Sequence, residues 1–159
     1  MIHAMSGKDA IQLALYGLAH AVVDAISAGV LFTIWQGAVV ETAEASWLFL
    51  LYNLLAFGTQ PLLGLIVDWS HRPRAAALVG GLVLAAATAG IGGWPRVAVC
   101  LVGVGNAVFH LGAGSICLNL TPGRATAPGL FVAPGVAQVT WPAQAAIVFP
   151  LASNHISGT

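Results

Sequence analysis

The chain is 159 residues long, is 58% hydrophobic and holds only five Lys and Arg and five Asp and Glu, for a formal net charge of zero. A soluble domain is typically about a quarter charged, so this composition excludes a soluble enzyme: so few charges cannot cover a water-facing surface, whereas a bilayer accepts apolar side chains on every outward face. Zero net charge also gives no basis for binding nucleic acid or an acidic partner.

A helical span needs about 20 apolar residues. The charge-free stretches predict an all-α, polytopic transmembrane helix bundle of about five spans over residues 11–152. Residues 1–10 read as a cytoplasmic segment, too mixed for a cleavable signal and without a small-residue cleavage site behind a short apolar core. The first span, 11–34, is interrupted only by His20 and Asp24. Residues 36–46 form a polar loop with Glu41 and Glu44, followed by the second span, 47–67. A charged turn over 68–74 leads to the third span, 75–93, and Trp94-Pro95-Arg96 makes a tight turn. The fourth span is 97–120, and a loop over 121–128 carries Arg124. The fifth, 129–152, holds Pro134, Pro142 and Pro150, each of which removes a donor from the helix ladder. Residues 153–159 are a polar tail.

Lys and Arg set the orientation. With the N-terminus inside, Lys8, Arg72, Arg74 and Arg124 are cytoplasmic and only Arg96 is outside, four against one. Cys100 and Cys117 fall in one span, about 25 Å apart at about 1.5 Å per residue, beyond disulfide reach.

Polar groups at membrane depth are expensive and normally face the bundle interior or a water-filled cavity. The first, second and fourth spans carry His20, Asp24, Asn53, Gln60, Asn106 and His110, so these spans should line something. The third has only Thr88 and should lie outside them. His20 and Asp24 share one helix face, being four residues apart, and Asn106 and His110 repeat that spacing. Two readings stand for each pair: proton or substrate binding, or a hydrogen-bonded join between helices. Gly103, Gly105, Gly112 and Gly114 permit close helix approach beside the second pair. No metal is expected at His20, Asp24 and His110, because no ligand motif or supporting second partner is visible. At the turn, Gly64 lets two helices approach, Pro73 suits a first helical position, and Asp68 can cap the helix or pair with Arg72 or Arg74.

These residues resemble the major facilitator superfamily of secondary transporters. Gly64, Asp68 and Arg72 match that family's loop between its second and third helices, while Trp69 and His71 depart from its usual basic residue and glycine. The chain is similar, more closely, to the fosmidomycin-resistance-like branch. The carriers of that likeness are Ala19-His20 with Asp24, Gln60-Pro61-Leu62-Leu63-Gly64, Val102-Gly103-Val104-Gly105 with Phe109-His110, and Gly123-Arg124, in order from about residue 11 to residue 135.

The resemblance implies part of the N-terminal six-helix half of a twelve-helix transporter, whose two halves rock about a midplane site. It implies proton-coupled export of a small molecule across a bacterial cytoplasmic membrane, and no cofactor. His20, Asp24, Asn106, His110 and Gln60 become candidate substrate or proton contacts. Gly64, Asp68, Arg72 and Arg74 become a conformational-switch loop. The partners implied are the lipid bilayer, protons and substrate, with a missing second half or self-association completing the unit. After about residue 137 the chain departs from the family, and a truncated or frameshifted product is expected. The alternative is a non-transporting small membrane protein, an assembly partner or inert remnant. A membrane enzyme has no Ser-His-Asp, HExxH or carboxylate-pair signature behind it.

Overall fold

The computed structural model describes residues 5–36 and 40–134. Five α-helices follow in chain order: α1 Gly7–Trp35, α2 Thr42–Asn53, α3 Gln60–Ser70, α4 Pro73–Ala89 and α5 Pro95–Leu120. Residues 126–134 are also helical. No strand occurs among the described residues. The predicted fifth span beyond residue 134, with Pro142, Pro150 and the polar tail, lies outside the described residues, as does the start of the N-terminal segment.

Among the described residues, three helical stretches are long and apolar enough to cross a membrane: Gly7–Trp35, Thr42–Ser70 and Pro95–Leu120. Their outward side chains are large and apolar, among them Leu18, Leu54, Leu62 and Leu65, each more than 60% exposed. Such a surface suggests a membrane protein, since lipid is the solvent that tolerates it. α4 is apolar but only 17 residues long.

Several predicted boundaries move for local reasons, while the end of the fourth span stays at Leu120. α1 starts at Gly7 because Ser6 and Asp9 form a reciprocal capping box, each side chain reaching the other's backbone N–H. α2 starts at Thr42, so the expected 36–46 loop is shorter, and Glu44 sits in the first turn, where a helix favours an acid. α4 begins at Pro73 and stops at Ala89 rather than at residue 93, because Gly90, Gly92 and Gly93 are poor helix formers. α5 takes Pro95 as its first residue, so Pro95 and Arg96 belong to the helix and not to a turn.

The second span contains a π-helical turn, Leu54–Gly58, directly before Pro61. Proline has no amide proton to offer the carbonyl four residues back, and a wider turn absorbs the break. The Thr59 hydroxyl donates to the Leu55 carbonyl and the Gln60 amide donates to the Ala56 carbonyl at 2.9 Å, so side chains serve acceptors beside the disturbed ladder.

The core is centred on α5. Its buried face, including Val99, Val102, Ala113 and Cys117, packs against all the other helices. The tightest seam is with α4. A Cβ added at Gly80 would lie 2.4 Å from the Phe109 backbone N, and one at Gly112 would lie 2.4 Å from that of Ala77. Glycine on both sides lets the backbones touch, which is how membrane helices gain packing without a hydrophobic drive between them. Away from this seam α4 presents exposed Leu78, Val79 and Leu82.

A polar cluster between the first and last long helices

The residues singled out on α1 and α5 meet. His20 is buried, 4% exposed, and its Nε2 lies 2.7 Å from the His110 Nε2. Asp24, one turn further on, is 3.6 Å from both imidazoles, Oδ2 toward His20 Nδ1 and Oδ1 toward His110 Nε2. That is ion-pair distance but too long for a hydrogen bond, and His20 Nδ1 has no hydrogen-bond partner among the described residues. The Phe131 ring, from the helical stretch 126–134, covers His20 with centroids 4.6 Å apart. That stretch lies along α1, where a Cβ at Gly17 would meet the Leu130 carbonyl at an ordinary 3.6 Å.

Asn106 anchors the cluster in two ways. Its backbone carbonyl is 2.8 Å from His110 Nδ1. Its side-chain amide donates to Ser27 Oγ at 3.1 Å, and Ser27 donates to the Val23 carbonyl at 3.0 Å. The buried Tyr52 phenol, from α2, reaches the Ser27 side chain and lies in the field of Asp24. Ser27, Tyr52 and Phe131 were missed by sequence reasoning. Ser27 had a signal, since it is seven residues after His20 and three after Asp24, on the same face. Tyr52 and Phe131 had none beyond being aromatic.

This geometry limits the protonation states. A carbonyl only accepts, so His110 Nδ1 carries a proton and donates it to Asn106. The two Nε2 atoms then share one proton between them, because two N–H groups cannot point at each other over 2.7 Å. If His20 donates, His110 is neutral. If His110 donates, it is the cation and His20 accepts. Asp24 faces both and balances whichever imidazole is charged. The arrangement can hold one mobile proton over three residues.

His20, Asp24 and His110 each offer a ligand atom within 4.8 Å of the others. Two imidazole nitrogens each about 2.0–2.1 Å from a tetrahedral ion stand well over 3 Å apart. At 2.7 Å the two Nε2 atoms stand as a hydrogen-bonded pair, closer than two ligands of one ion, so they would have to move apart to hold one together.

The other candidates lie elsewhere. Gln60 is turned to the Ala56 carbonyl, and Asn53 donates to the Phe49 carbonyl, so neither is in contact with the cluster among the described residues. At the 68–74 turn, Asp68 neither caps α4 nor pairs with Arg72 or Arg74 among the described residues; its backbone carbonyl accepts from the His71 N–H instead. His71 takes the left-handed conformation, φ 52°, so the turn closes by backbone geometry and the carboxylate is left facing out. Gly64 is not needed for close approach, since an added Cβ would meet only Leu111 Cδ2 at an ordinary 3.5 Å. Gly114 likewise has room, with Phe131 4.0 Å away. At the other end of the bundle Arg96 donates to Glu44, tying α5 to α2.

Compared with family models, curated proteins and solved structures, the chain matches none.

Proposed function

We propose that this chain is part of the first half of a secondary active transporter of the major facilitator type, and that His20, Asp24 and His110 form its proton-binding site for export of a small molecule. The observation that carries the reading is a titratable cluster shared by α1 and α5 at membrane depth. A hydrogen-bonded join between helices needs no acid and no second imidazole, and an Asp at the centre of a span carries a cost of about 2.5–3.5 kcal/mol on insertion scales. The cluster also joins two different helices, so gain or loss of its proton changes what holds α1 to α5. In the full transporter that change has to be passed on to the rocking of one half against the other. Asn106, whose amide reaches Ser27, remains the candidate for substrate contact on α5. Gln60 donates one amide N–H to the Ala56 carbonyl and keeps its side-chain oxygen for a substrate.

Two measurements test this. In ¹⁵N NMR of the purified chain with labelled histidines, His110 should keep its Nδ1 proton while the His20–His110 pair takes up a single proton across the titration. In proteoliposomes holding a transport-competent assembly that contains this chain, Asp24→Asn should abolish gradient-driven flux while leaving membrane insertion unchanged. Flux that survives with its pH dependence intact assigns the cluster to helix joining alone, in a non-transporting or differently coupled protein.

A further inference from the structure

A separate feature lies at the end of the bundle that carries Lys8, Arg72 and Arg74. Three adjoining hollows share lining residues there. Arg74 borders all three, Gln12 joins the first two, and Leu15, Tyr16 and Ala19 join the second to the third. The first is polar at its mouth, with His71, Arg72 and Asn119. The third, about 610 Å³, is an apolar groove between α1 and α4. It runs from Leu15 to Ile26 on α1 and from Arg74 to Ala85 on α4. At about 1.5 Å per residue each wall is roughly 16 Å long. Half of the hydrocarbon thickness of a bilayer, one leaflet, is about 15 Å.

We infer that this groove is a binding site for one anionic phospholipid, its phosphate held by Arg72, Arg74 and Lys8 and one acyl chain lying between α1 and α4. Charge argues for the headgroup. Lys8, Arg72 and Arg74 are exposed, and none forms an ion pair among the described residues. The acids near them do not neutralise them: Asp9 is engaged with Ser6, and Asp68 pairs with none of the three among the described residues. Basic pockets at the ends of membrane helices recognise lipid phosphates in this way. Length argues for the tail. A transmembrane helix seated in the groove would need about 30 Å of wall, whereas each wall, ending at Ile26 and at Ala85, is about half that long. Gly81, which lines the groove, has open space where a Cβ would be, so the hollow is wide at that point.

The test uses the purified full chain in neutral detergent, with dioleoylphosphatidylglycerol, dioleoylphosphatidylcholine and glycerol 3-phosphate as probes, read by native mass spectrometry. Phosphatidylglycerol should be retained at least tenfold better than phosphatidylcholine. Arg72→Gln with Arg74→Gln should remove that preference. Gly81→Phe, which fills the groove without touching the cations, should reduce retention of both lipids while circular dichroism shows unchanged helix content. Equal retention of the two lipids by the wild-type chain overturns the headgroup assignment. Displacement of phosphatidylglycerol by millimolar glycerol 3-phosphate, or full retention by Gly81→Phe, overturns the acyl-chain assignment.

Discussion

Asn106 holds two functions at one position of α5, and they can be separated. Its backbone carbonyl sets the His110 tautomer, which any residue would do, while its amide bonds Ser27 on α1, which only a polar side chain can do. Asn106→Ala should therefore keep the His110 tautomer in ¹⁵N NMR and lower stability by about 0.6–1.7 kcal/mol, the range for hydrogen bonds between membrane helices. Ser27→Ala should cost a similar amount, and the double variant less than the sum, because both remove one bond. Additive losses would mean the bond contributes nothing of its own. The polar residues of α1 and α5 were legible because an ionisable side chain in an apolar run must find a partner, and the four-residue spacing placed each pair on one face. Gln60 and Asn53 were not separable from them in the sequence. Whether an amide serves a neighbouring helix or its own backbone depends on where the ladder is broken, and the π-helical turn before Pro61 broke it beside Gln60.

At the scale of elements, the α4–α5 seam makes a sharper forecast than composition does. A Cβ added at Gly80 or Gly112 would lie 2.4 Å from a backbone atom of the opposite helix, whereas one at Gly81, next to the first, would meet no atom within 4 Å. Gly80→Ala and Gly112→Ala should each destabilise by at least about 1–3 kcal/mol, the cost of overpacking, since backbone cannot step aside as a side chain can. Gly81→Ala should be neutral or stabilising by up to about 1 kcal/mol, from helix propensity alone. Unfolding in sodium dodecyl sulfate titrations followed by circular dichroism distinguishes them, and equal effects at residues 80 and 81 would refute the seam. The sequence marked the glycines of the fourth span as a place of close approach but did not single out Gly80 as their counterpart. A glycine's function depends on what lies opposite it. Helix ends were shifted for the same reason: Ser6 with Asp9, Pro73 and Pro95 are start signals that hydropathy counts ignore.

For the whole molecule, the charges sort by end. Lys8 and Arg74 border one hollow, and Arg72 lies on the same turn as Arg74, while Arg96 is at the opposite end, held by Glu44. Acids contribute little to topology, so Glu44 does not cancel Arg96 and the asymmetry that sets orientation is the count of Lys and Arg itself. The predicted orientation puts the 68–74 turn inside and the Gly92 turn outside. Single cysteines at Ser70 and Gly92, in a chain with Cys100→Ala and Cys117→Ala, make the two ends distinguishable by an impermeant maleimide. In intact cells Gly92→Cys should react and Ser70→Cys should not, and permeabilisation should expose Ser70→Cys. The reverse pattern would invert the bundle and place the basic groove on the outer leaflet, while labelling of both positions in every molecule would show that the chain does not cross the membrane between them. Glu44→Gln adds a further check: the count of Lys and Arg is untouched, so the labelling pattern should stay as it is. Labelling of a fraction of molecules at Ser70→Cys from outside would show that the Glu44–Arg96 pair helps to fix the orientation.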